Sequence, residues 1–115
     1  MRYAFLAYTN EGAWGKLSAP EREAAARKFG AFVKEVEQRG VKELNARLQP
    51  SSAARNVRAN DGKLVIGEGP YADTKEQLSG IYILNCKDLD EAVEFAEKLP
   101  ASSMGVVEIR PIMEA

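Results

Sequence analysis

Hydrophobic and polar positions change period several times along the chain, and each change predicts an element. From Arg2 to Tyr8, Tyr3, Phe5 and Ala7 fall on one alternating face and Ala4, Leu6 and Tyr8 on the other. A strand apolar on both faces is covered on both sides, so a central strand is predicted there. Thr9 to Lys16, with Gly12, Trp14 and Gly15, has the composition of a loop. The period then becomes helical. Ser18 and Glu21 stand at capping-box spacing, and Pro20 sits in the first turn, where its missing N–H costs nothing. Phe29, Phe32, Val33 and Val36 follow at i, i+3, i+4 and i+7, one stripe facing a core, and Arg39-Gly40 supplies a cation and a glycine for the helix end.

The second half alternates again. Val41 to Leu48 predicts a strand broken by Gln49-Pro50-Ser51-Ser52. Arg55 to Ala59 and Lys63 to Ile66 predict two short strands around Asn60-Asp61-Gly62, where glycine accepts the positive φ of a tight hairpin turn. Gly67 to Glu76 is longer and more charged than the about two to five residues a simple connection needs. Gly80 to Leu84 is apolar on both faces, a second central strand. Asp88 and Glu91 cap a helix whose Leu89, Ala92, Val93, Ala96 and Leu99 are assigned to one face, and Pro100 ends it. Val106 to Ile109 completes the set.

With the hairpin set aside, the order is β-α-β-β-α-β, the ferredoxin-like arrangement of an α+β fold. Its first and third core strands are central, and these are the two strands apolar on both faces. Two helices cover one face of such a sheet. A second copy is the simplest cover for the other, so a homodimer closing a dimeric α/β barrel is expected.

Composition narrows the function classes. The chain has 115 residues, one domain over 1–115, with 45% hydrophobic and 29% charged residues. Net charge is −1 and no basic run stands out, so no direct contact with nucleic acid is expected. No apolar run approaches the roughly 18 residues of a membrane span, and the N-terminus lacks a signal-peptide core. A cytoplasmic protein without membrane association is expected. Histidine is absent, which removes the commonest general base and metal ligand. The single cysteine, Cys86, has no histidine to activate it. No cofactor and no metal site are expected.

The densest ionisable cluster is Asp73, Lys75 and Glu76, after the Gly69-Pro70 bend. Asp73 is a candidate catalytic base if its carboxylate is held in a half-buried cleft, with Lys75 stabilising developing negative charge. Equally, Asp73 or Thr74 could cap a helical turn, leaving Lys75 and Glu76 solvated. Tyr8 and Tyr82 lie on the two central strands and are candidates to line a cavity, as is Trp14 as its lid. Each also has a plain packing role open to it. Arg47, Arg55 and Arg110 are candidates to hold an anion, because the guanidinium presents a planar fork.

Gly69-Pro70-Tyr71-Ala72-Asp73-Thr74-Lys75-Glu76-Gln77-Leu78-Ser79-Gly80 resembles the signature of the DGPF branch of the YCII-related family. Glu68 and Tyr71 stand where that signature has an aspartate and a phenylalanine. The resemblance extends to Tyr3–Tyr8, the Trp14 loop, Leu48-Gln49-Pro50, Asp61-Gly62 and the ending Val107 to Ile112. It implies a dimeric α+β barrel and little about activity; members found with extracytoplasmic-function sigma factors point to association with a transcription regulator, and with the near-neutral charge an unknown small-molecule ligand is expected. Other branches carry a His-Asp pair proposed as catalytic. A chain without histidine cannot have it, which favours a binding module over an enzyme using Asp73.

Overall fold

The computed structural model describes residues 1–114. In chain order the elements are β1 (Arg2–Thr9), α1 (Glu11–Gly15), α2 (Ala19–Gln38), β2 (Lys42–Arg47), β3 (Arg55–Asn60), β4 (Lys63–Glu68), β5 (Gln77–Asn85), α3 (Leu89–Glu97), α4 (Ala101–Met104) and β6 (Gly105–Pro111). A 3₁₀ turn at Ser51–Ala53 follows β2. The main sheet is antiparallel in the order β2-β5-β1-β6, and β3-β4 form a separate two-stranded sheet. The two strands apolar on both faces, β1 and β5, are the central pair.

The sequence signals at α2 act as expected. Ser18 Oγ accepts the Glu21 N–H while Glu21 accepts the Ser18 N–H, closing the capping box. At its end Gly40 takes φ 67°, the Gly40 N–H reaches Glu37 O and the Val41 N–H reaches Val36 O. That pair of bonds is the Schellman arrangement, available because glycine tolerates the left-handed region. At the hairpin tip Asp61 and Gly62 both have positive φ, 50° and 75°, the geometry of a two-residue type I′ turn.

Three readings need correction. The stretch Thr9 to Lys16 is not all loop: α1 forms there, with Asn10 Oδ1 accepting the Ala13 N–H as its cap. The helix expected to run to Pro100 ends earlier, at Glu97, and Pro100 stands at the start of a further short helix, α4. The buried face of α3 is also phased differently. Leu89 and Val93 are 54% and 42% exposed, while Ala92, Phe95, Ala96 and Leu99 are buried. Phe95 fixes that phase, since burying the larger ring removes the most apolar area.

The core lies between the sheet and α2–α3. Tyr3, Phe5, Ala7, Tyr82 and Leu84 point to it from the strands, Phe32, Val36, Ala92 and Phe95 meet them from the helices, and Leu99 joins from the turn after α3. Phe32 and Tyr82 pack edge to face at 5.6 Å between ring centroids. Across the top, Lys98 bonds Glu35 at 2.6 Å and Arg39 bonds Glu91 at 2.8 Å. The opposite sheet face carries Ala4, Leu6, Ile81 and Ile83 with no helix over them, and Leu44, Leu48 and Val106 at its margins are exposed.

The β1–β5 register slips at one place. Ala7 pairs with Gly80 but Tyr8 pairs with Leu78, so Ser79 bulges out and its hydroxyl bonds the Ala7 carbonyl.

Candidate binding cavities

Two cavities flank the end of the sheet where the bulge lies. The inner one, about 710 Å³, opens on the helix side between α1, α2 and β5; the outer one, about 870 Å³, opens on the uncovered face under the Gly69–Glu76 segment. Leu48, Gln49, Pro50 and Leu78 line both and form their common wall.

Hydrogen bonds across four chain segments hold that wall. The Glu11 carboxylate accepts the Ser51 N–H at 2.8 Å and the Ser51 hydroxyl, which fixes the 3₁₀ turn against α1. The Glu11 N–H donates to Gln77 Oε1 at 3.1 Å, and Gln77 Nε2 donates to the Thr74 carbonyl at 2.6 Å. Thr74 Oγ1 in turn donates to the Glu76 carbonyl. The signature segment is tied at its start as well. Gly69, at φ 80°, donates its N–H to Ala54 O and accepts from Asn56 Nδ2, and Arg58 bonds the Tyr71 hydroxyl at 3.0 Å.

The inner cavity gathers Trp14 from α1, Arg22 and Phe29 from α2, Arg47 from β2, and Ser79 and Tyr82 from β5. Tyr82 is 4% exposed, and its hydroxyl has no hydrogen-bond partner among the described residues. Its ring lies back along the strand over Gly80. A Cβ at Gly80 would stand 2.5 Å from the hydroxyl oxygen, so the glycine makes room for the ring. Burial raises the Tyr82 pKa, and the positive charge of Arg47 pulls it partly back. The phenol is therefore a neutral donor at physiological pH. The Arg47 guanidinium lies 5.2 Å from the Phe29 ring centroid and forms no ion pair among the described residues.

The structure distributes the candidate residues unevenly. Trp14, Tyr82 and Arg47 meet in the inner cavity. Tyr8, Lys75 and Glu76 line the outer one, with the Tyr8 hydroxyl 3.5 Å from Glu108. Asp73 is exposed and lines neither cavity; no helix follows it, so the capping role is absent too. Arg55 is also outside both, donating to the Ala54 carbonyl, and Arg110 pairs with Glu108. Cys86 is buried at the far end of β5, its thiol pushed up to about 11 chiefly by burial. Glu11, Ser51 and Gln77 are the residues that sequence reasoning passed over. Only Asn10, a capping residue opening a stretch taken for loop, could have signalled that Glu11 was fixed in place.

Among the described residues, no group of three or more His, Cys, Asp or Glu side chains is placed to hold a metal ion. No helix among them is long and apolar enough to cross a membrane.

The chain matches the YCII-related domain over residues 1–115. It is 38% identical over 114 residues to the uncharacterized protein R00369 of Rhizobium meliloti (strain 1021), covering 97% of this chain and 92% of that one. Among solved structures it is similar to 5-chloro-2-hydroxyhydroquinone dehydrochlorinase (TftG) from Burkholderia phenoliruptrix AC1100, in complex with 2,5-dihydroxybenzoquinone. The TM-score is 0.53 at 13% identity, over 100% of this chain and 96% of that one. At that identity the likeness speaks for the fold alone.

Proposed function

The chain belongs to the YCII-related family, and from that premise we propose that it is a homodimeric small-molecule-binding module whose ligand enters the inner cavity. The observation that carries the reading is Tyr82: its side chain is buried, while its hydroxyl bonds no protein group among the described residues and stays accessible from a space of about 710 Å³ walled in part by Trp14 and Phe29. Ligand cavities of roughly 300–1,000 Å³ are typically apolar with a few placed polar groups. A hydroxyl so placed can bond a ligand oxygen, a contact worth about 0.5–1.5 kcal/mol. The sensing role, as partner of a transcription regulator, rests on the DGPF-like signature at Gly69–Gly80 and not on geometry.

The dimer has physical support of its own. The chain is a slab of 48 × 43 × 18 Å with 7842 Å² of accessible surface. A monomer of 12.6 kDa is expected to expose about 6,200 Å², so the excess is about 1,600 Å². A standard interface needs about 800 Å² per partner. The uncovered sheet face and the β3–β4 hairpin, with Val57, Leu64 and Ile66 at 65%, 66% and 64% exposure, supply apolar surface for it. Two copies packed face to face would close the barrel. The other reading, a cofactor-independent enzyme with Asp73 as acid/base, finds that carboxylate exposed and outside both cavities.

The test is thermal stabilisation across a panel of small metabolites, on wild type and Tyr82→Phe, with light scattering on both. A ligand at a hundred times its Kd adds about 2.7 kcal/mol. The expected result is a dimer and at least one stabilising compound whose effect falls in the variant. A wild type stabilised by nothing on the panel, or by compounds indifferent to Tyr82, would remove the proposal.

A further inference from the structure

We infer that the inner cavity takes a monocyclic aromatic anion, a single ring bearing a carboxylate or phenolate oxygen; this rests on the binding reading above and names its ligand class. The walls carry the aromatic half. Trp14, Phe29 and Tyr82 present rings from three elements, α1, α2 and β5. Phe29 and Tyr82 are 6.1 Å apart between centroids and tilted by 55°. Such separations and tilts are those aromatic rings prefer, so a further ring can meet both in the same manner.

The charges carry the anionic half. Three ionisable side chains other than Tyr82 line the cavity: Glu11, Arg22 and Arg47. Glu11 is already engaged, both carboxylate oxygens accepting from Ser51. Arg22 donates to the Gly15 carbonyl at 2.9 Å and keeps its charge uncompensated by any carboxylate among the described residues. Arg47 is exposed, makes no side-chain hydrogen bond or ion pair among the described residues, and lies beside the Phe29 ring. A guanidinium in that state matches a carboxylate with two parallel donors. The Tyr82 hydroxyl supplies another donor from the cavity floor. An aromatic box can also hold an organic cation. Here two guanidiniums repel one, and the single carboxylate is spent on Ser51.

Trp14 is the chain's only tryptophan, so its fluorescence reports this cavity directly. The experiment titrates the wild-type protein with benzoate, cyclohexanecarboxylate, benzyl alcohol and choline. Benzoate is expected to change Trp14 emission saturably, with each of the others weaker by about tenfold or more. Arg47→Gln is expected to lower the ratio of benzoate to benzyl alcohol affinity about tenfold, the loss of a charge-assisted contact. Tyr82→Phe is expected to weaken benzoate about fivefold. Both variants are checked for an unchanged thermal midpoint; if Tyr82→Phe fails to fold, the Arg47→Gln ratio decides. Equal binding of cyclohexanecarboxylate or benzyl alcohol, a preference for choline, or no saturable response to benzoate overturns the inference. The two readings fail separately. A panel compound that is neither aromatic nor anionic, yet stabilises the wild type through Tyr82, leaves the binding module standing and removes only this ligand class.

Discussion

On the helix side of the sheet, Phe5, Phe32, Phe95 and Leu99 are shut off from solvent. On the other side, Leu44, Leu48 and Val106 are not, and neither are Val57, Leu64 and Ile66 on the hairpin. Both regions are rich in apolar side chains. The difference is that one has its covering layer within the chain and the other does not. Hydrophobic patterning states which residues seek cover; it does not state whose residues provide it. A side chain on the first surface should govern whether the chain folds, and one on the second should govern what the folded chain meets.

Substitutions on the two surfaces sharpen this contrast. The largest effect on folding is expected from Phe95→Ala, which leaves a cavity under α3 and should cost about 3–5 kcal/mol in urea unfolding. A loss below about 1 kcal/mol would break the distinction. Cys86 comes next. Its thiol is raised from 9.0 to about 11, so the protonated form is favoured in the fold. Its contribution is complete below pH 9 and is lost as pH rises through 11. About 2–3 kcal/mol of wild-type stability should disappear over that interval, and the slope should flatten in Cys86→Ala. Gly80→Ala is expected to cost about 1–3 kcal/mol by pushing the Tyr82 ring off its seat, with a matching loss of ligand-induced stabilisation. The smallest effect on the chain's own fold should follow Val57→Lys with Ile66→Glu, which sets opposite charges across the ladder. The circular dichroism spectrum should be retained, with a change within about 0.5 kcal/mol from exposed sites, while light scattering should report a monomer in place of the dimer proposed for the wild type. Loss of the folded spectrum in that double variant would show that the hairpin belongs to the core.

Much of the architecture was legible because it rests on short-range signals. The Ser18–Glu21 box, the Gly40 end, the Asp61-Gly62 turn and the two doubly apolar strands each follow from local chemistry, and together they fix the sheet order. Five-residue α1 escaped because a single turn and a half shows no period, and its two glycines argue against a helix. The phase of α3 slipped because Leu89 and Val93 are as apolar as the residues that are buried, and only the volume of Phe95 separates the two readings. The cavities were legible in part. The segment singled out for its length and charge lines the outer cavity through Pro70, Tyr71, Thr74, Lys75 and Glu76. That Trp14, Arg47 and Tyr82 share a separate space on the other face depends on contacts between residues 33 to 68 positions apart, which no local pattern contains.

The bulge at Ser79 has a consequence for how this region tolerates change. Because Ser79 takes up one residue without a partner, Leu78 and everything before it sit one step out of phase with the strand beyond. Removing that residue would leave Ala7 opposite Gly80 and Tyr8 opposite Leu78, so the ladder would close up with both pairings kept. What would go is the bond from the Ser79 hydroxyl to the Ala7 carbonyl and the extra local twist that a bulge gives its strand. The chain can therefore lose a letter here without losing its frame, whereas one lost or gained in the regular part of β5 would turn the side chains beyond it to the other face.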